Sequence, residues 1–245
     1  MAAPTLNNPQ QVLATATGNT VTITSYTPTA GATSNSKLVV FASCSDNNDS
    51  GETVTSVTYA GNNLTEVAAT QGHHRTGAIA CFGSFWLTNN PLNLAASGNV
   101  VATASANANA MGIWAATILN TETVKAFSAL PGSNLDTDAA TPLPLDVTTV
   151  VNDTLVISGC HLKSNSALTL DTASATEHND TGGTNIRQGV GSIVDAVAGT
   201  QNMQWSASTT QAPVVANIGL EPVAAAAGGM VPPLRWRSFQ HMLVR

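Results

Sequence analysis

Charge is scarce in this sequence. Asp, Glu, Lys and Arg make up 9% of its 245 residues, against about 25% in ordinary soluble domains. The net charge is −6, and a phosphate backbone demands a basic face, so nucleic acid is not expected as a ligand. Aromatic residues are only 4%, few for a glycan site built on exposed rings. The three cysteines form no CxxC pair and no regular ladder, which argues against a disulfide scaffold or a zinc cage. No apolar run reaches the roughly 18 residues of a membrane-spanning helix, so no membrane partner is expected. The start, Met1-Ala2-Ala3-Pro4-Thr5-Leu6-Asn7-Asn8, has no basic n-region and no apolar h-region. No secretory signal is therefore expected, and folding is placed in a cytoplasm.

What is present is strand. Thr20-Val21-Thr22-Ile23-Thr24, Val54-Thr55-Ser56-Val57-Thr58-Tyr59 and Val147-Thr148-Thr149-Val150 alternate with period two. Leu38–Phe41, Ile113–Leu119 and Leu155–Ile157 are unbroken apolar runs, which predicts strands covered on both faces. Turn signals fall between them at Ala60-Gly61-Asn62-Asn63, Asn89-Asn90-Pro91, Ser97-Gly98-Asn99, Pro131-Gly132-Ser133-Asn134 and Thr181-Gly182-Gly183. The alanine-rich stretch 102–116 could be read as helix. Thr103, Ser105, Asn107 and Asn109 alternate with alanines there, so it is read as strand.

The chain also repeats itself. Lys37-Leu38-Val39-Val40-Phe41-Ala42-Ser43-Cys44 returns as Asp153-Thr154-Leu155-Val156-Ile157-Ser158-Gly159-Cys160. The segment from Gly98 to Leu119 has its counterpart between Gly199 and Leu220. A period of about a hundred residues predicts two copies of one supersecondary unit. The expected architecture is all-β, with two tandem jelly-roll or immunoglobulin-like antiparallel sandwiches and an extended C-terminal arm. Its expected bounds are an N-terminal arm over 1–17, sandwiches over 18–122 and 123–223, and an interaction tail over 224–245.

Few residue constellations carry chemistry. Asp46-Asn47-Asn48-Asp49-Ser50-Gly51-Glu52 opens like a calcium loop, but position twelve is Val57 rather than a bidentate Glu, and the EF-hand template fails. It is read as a solvated loop between strands, with an irregular Ca²⁺ site on Asp46, Asp49 and Glu52 as the alternative. His73-His74 and His178 stand in similar places in the two copies and are read as exposed loop histidines. Cys44, Cys81 and Cys160 are read as small buried hydrophobes, with a Cys44–Cys81 disulfide as the alternative. No Gly-x-Ser-x-Gly elbow, phosphate fingerprint or partnered acid pair is present, so neither an enzyme nor a cofactor is expected.

The tail differs from everything before it. Residues 1–223 hold all fourteen acids and five of the eight basic residues, a balance of −9, while residues 224–245 carry three arginines and no acid. Ala224–Gly229 reads as a hinge. Pro232, Pro233 and Leu234 favour an extended path. Arg235, Trp236, Arg237, Phe239, Met242, Leu243 and Arg245 then combine aromatic, aliphatic and guanidinium groups, the mixture typical of interface anchors. The expectation is an arm inserted into an acidic or apolar groove of a neighbouring subunit, either a different protein or another copy of this chain.

One resemblance is carried by particular segments. Ser56-Val57-Thr58-Tyr59-Ala60-Gly61-Asn62-Asn63-Leu64-Thr65-Glu66-Val67 resembles the "SVTYxGxxLTxV" hairpin of tandem jelly-roll-like sandwich proteins of tailed-phage virions. Phe85-Trp86-Leu87 with Asn90-Pro91 resembles their "WYLxNP" segment, and Gly98–Ala104 their "GxxxVxVTxS" strand. The likeness covers about residues 18–222, and it departs at Asn120-Thr121-Glu122-Thr123, where the usual linker is missing. The resemblance implies a structural virion role, in capsid decoration or a tail or fibre, with no shared catalytic residues. The partners it implies are major capsid or tail proteins and further copies of the chain, in a homo-oligomer. The runner-up is a host-surface or glycan-binding adhesin that uses the loops near His73–Arg75 and His178–Thr184.

Overall fold

In the computed structural model, residues 2–29, 35–47, 52–67, 70–76, 79–121, 128–129, 143–207 and 214–224 are described. They form strands and short turns, and no α-helix occurs among them. The first ten strands are β1 (Thr5–Ala14), β2 (Gly18–Tyr26), β3 (Lys37–Asp46), β4 (Val54–Tyr59), β5 (Asn62–Asn63), β6 (Thr65–Glu66), β7 (Gly72–Thr76), β8 (Ile79–Asn89), β9 (Gly98–Ala108) and β10 (Ala110–Leu119). Eight more follow: β11 (Ser128–Ala129), β12 (Leu143–Thr148), β13 (Thr154–Leu162), β14 (Leu168–Leu170), β15 (Thr176–Gly183), β16 (Ile186–Asp195), β17 (Thr200–Ala207) and β18 (Val214–Leu220).

All pairing among the described strands is antiparallel, and part of it is nested. β1 pairs with β10, β2 with β9 and β3 with β8, which is the jelly-roll order. The first pair of sheets runs β1-β10-β3-β8-β6, with β7 also on β8, and β2-β9-β4-β5. The second pair runs β11-β18-β13-β16-β15 and β12-β17-β14. The orders are similar, with β11-β18-β13-β16 standing where β1-β10-β3-β8 stand and β12-β17-β14 where β2-β9-β4 stand, while β5 and β6 have no counterpart among the described strands. The self-similar segments of the sequence occupy equivalent places, β3 matching β13 and β9–β10 matching β17–β18.

The four sheets stack in layers. Val21, Ile23, Val57, Tyr59, Val100 and Phe82 pack between the β2-β9-β4 sheet and the β10-β3-β8 sheet. Cys160, Leu162, Leu168, Trp205 and Val215 pack between the β18-β13-β16 sheet and the β17-β14 sheet. A third apolar layer joins the two inner sheets face to face: Val39, Phe41, Phe85, Trp114 and Ile118 from one, Leu155, Ile157, Val190, Ala216 and Ile218 from the other. We call this layer the seam. It explains the unbroken apolar runs, because every residue of β3, β13 and β18 is buried. Outer strands such as β2 alternate instead, since one face meets water.

Local chemistry sets the corners. Ala60 and Gly61, at φ 49° and 79°, form the two-residue turn between β4 and β5, with Tyr59 paired to Asn62. Asn90 takes φ 45° and leads into a 3₁₀ turn, Pro91–Asn93. Two expectations meet a different outcome. Residues 5–14, read as part of an arm, form β1, an edge strand with a register shift between Asn7 and Gln10. An edge position tolerates Pro9, which could not sit in a central strand. Thr181-Gly182-Gly183, read as a turn, lies inside β15, and the chain reverses at Asn185 with φ 61°. An added Cβ on Gly182 or Gly183 would meet the side-chain tips of Asn165 and Thr15, both of which are exposed.

Candidate functional site

The arm residues Pro232, Pro233, Leu234, Arg235, Trp236, Arg237, Phe239, Met242, Leu243 and Arg245 lie outside the described residues. Of the Asp46–Glu52 loop, Asp46, Asn47 and Glu52 are described, and both acids are buried rather than solvated. Among the described residues no group of three or more His, Cys, Asp or Glu side chains could hold a metal ion.

The histidines are not on loops. His73 is on β7, with its ring edge against Phe82 at 4.8 Å between centroids. His178 is on β15, half-buried, 2.7 Å from Ser192 Oγ through Nε2 and 6.5 Å from the Trp114 ring centroid. Strand pairing of the segments around them leaves them half-buried. Neither the alternation nor the turn signals of the sequence revealed this, because the glycines beside His178 mimic a loop.

The three cysteines are free and buried, as expected of small hydrophobes. Each occupies a different layer. Cys44 belongs to the first sandwich core and Cys160 to the second. Cys81 packs against Val214 of β18, across the seam. Burial pushes the Cys81 thiol up to about 12 and raises the other two as well. Protonated, enclosed thiols of this kind are poor nucleophiles.

The seam itself holds a cluster of buried polar side chains. Gln188, fully buried on β16, donates from Nε2 to Ser43 Oγ of β3 at 2.8 Å. Gln11 of β1 donates from Nε2 to the Gln188 Oε1 at 3.0 Å and to its backbone oxygen at 2.9 Å. Ser45 Oγ donates to the Asn185 carbonyl at 3.2 Å, and Trp114 Nε1 donates to Asn179 Oδ1 at 2.9 Å. Side-chain hydrogen bonds spanning 65 to 177 residues fix the register of one inner sheet on the other, which apolar contact alone leaves loose.

His161 is the exception within this layer. It shares a face of β13 with Leu155, Ile157 and Gly159 by strand alternation, and it pairs laterally with Gln188 and Val214. It is fully buried, and neither ring nitrogen has a hydrogen-bond partner. Desolvation lowers its pKa to about 3, so the ring is neutral. Sequence reasoning passed over this residue. Cys160-His161-Leu162 simply continues an apolar run, and only a second sheet packed on that face turns the histidine into a buried base.

Comparison with known proteins adds no relative: no family model, no curated protein and no solved structure matches the chain.

Proposed function

We propose that this chain is a structural protein of bacteriophage virions, built into capsid decoration or into a tail or fibre. Its partners in this reading are major capsid or tail proteins and other copies of itself. The observation that carries it is the outer face of the β2-β9-β4 sheet. Thr20, Thr103 and Ser56 form one lateral row and Thr22, Val101 and Thr58 the next. These side chains are exposed or half-buried, and none is charged. Proteins that stay dispersed as monomers normally interrupt such a face with charge. A regular, neutral, hydroxyl-bearing sheet suits a subunit that is covered in an assembly.

Two further features support the reading. The body of the chain is acidic and its last 22 residues are basic and aromatic, so the arm of one subunit is attracted to the body of another. The segments that resemble phage sandwich proteins are scaffold segments: the 56–67 stretch runs from β4 through a tight turn into β5 and β6. Function here means assembly, with neutral sheet faces packing and Trp236, Phe239 and the arginines locking the subunit.

Deletion of residues 230–245 tests the locking role. The truncated chain should fold, remain soluble and fail to enter particles in an assembly reaction. Incorporation at the full-length level would refute it.

A further inference from the structure

We propose that His161 is an acid-operated latch in the seam, whose protonation parts the two inner sheets while each sandwich stays folded. The geometry is that of a poised group. A neutral imidazole with both nitrogens unpartnered is held between Val214 and Gln188, on a face closed over by the opposite sheet. Across from that row are Ser43, whose Oγ accepts a hydrogen bond from Gln188 Nε2, and its register partner Gly83, which lies beside Val214. No described carboxylate closes on the ring. The ionisable side chains on the elements around the row are the Cys81 thiol on β8, His73 on β7, the ion-paired Arg187 and Asp180 on β16 and β15, Lys163 just after the strand bearing His161, and Asp46 at the end of β3, the last two interacting with each other. His178, near Trp114 at another part of the seam, is also disfavoured as a cation by its burial.

The proton has one place to be accommodated: water, admitted when the seam parts. Burial forbids the cation in the closed state, whereas an opened ring titrates near the ordinary value of about 6.5. A base with a depressed folded pKa keeps its full stabilising effect above the unfolded value and loses it as pH falls below that value. With a closed-state value of about 3, the equilibrium for opening rises by about 25-fold between pH 7 and pH 5. At pH 5, carboxylates with ordinary values near 4 stay largely ionised. The apolar layers within each sandwich gain no such driving force, because the His161 ring points away from them.

The three native cysteines report the three layers separately, with Cys44 in the first core, Cys81 in the seam and Cys160 in the second core. The full-length chain is exposed to 4,4′-dithiodipyridine at pH 7 and pH 5, and labelling of each cysteine is followed by peptide mass spectrometry. Each rate is divided by that of the urea-unfolded chain at the same pH, which removes the intrinsic chemistry of the reagent. The normalised Cys81 rate should rise by about 25-fold, with Cys44 and Cys160 unchanged. His161→Met should abolish most of that rise, and His178→Gln should leave it. A simultaneous rise of all three cysteines, or no rise at Cys81, overturns the proposal. So does a rise that survives His161→Met and disappears in His178→Gln. Should His161→Met fail to fold, the three-thiol comparison in the unaltered chain decides.

Discussion

Replacing Gly159 with alanine probes the contact on which the layered stack depends. A Cβ at that position would stand 2.7 to 2.8 Å from three atoms of the Phe41 ring, far inside van der Waals contact. The ring has nowhere easy to go. Phe41 is fully buried and packs against Phe85 at 5.0 Å between centroids, and an added Cβ on Gly83 would approach the same ring at 3.0 Å. Overpacking of this kind costs about 1–3 kcal/mol, and we expect Gly159→Ala to lie in that range. The cost should depend on the ring. In a Phe41→Leu background, already weakened by its own lost contacts, the added methyl finds room. The alanine should then cost at least about 1 kcal/mol less than in the parent chain. Urea unfolding of the four chains gives the cycle, with the slope checked for constancy so that midpoint shifts report stability. A Gly159→Ala chain within about 0.5 kcal/mol of the parent, or two strictly additive substitutions, would show that the inner sheets do not meet as described.

Other perturbations test separate layers. Gly61 has φ +79° and open space around its missing Cβ, so Gly61→Ala should cost about 1–2 kcal/mol from backbone strain alone, read as a lowered urea midpoint. Trp205 Nε1 donates to Ser158 Oγ at 2.8 Å inside the second core. Ser158→Ala strands that donor and should cost about 1–3 kcal/mol, much of it avoided when Trp205 is already Phe.

The inner strands were the most legible part of the sequence. Leu38–Phe41 and Leu155–Ile157 show no polar alternation, and the structure gives each a covered face on both sides. The turn at Ala60-Gly61 was equally readable from Gly61, whose φ of 79° few other residues accept, although Ala60 beside it also takes a positive φ. Edge and close-contact features were not. β1, with Asn7, Asn8, Pro9, Gln10 and Gln11, has the polarity of a loose arm, and only pairing with β10 makes it a strand. Gly182 and Gly183 lie within a paired strand, yet in sequence such a pair looks like a turn. His161 and Gln188 were invisible for a related reason. A residue on an apolar run gains its meaning from the sheet that covers it, and that sheet is more than a hundred residues away in the chain.

The most direct test of the assembly role is quantitative mass spectrometry of purified phage particles from the host in which the chain is expressed. The account predicts the chain in intact particles at a fixed ratio to the major capsid or tail subunit, retained through salt and density-gradient purification. Particles free of it, with the chain recovered wholly as a dispersed monomer in the lysate, would contradict the account.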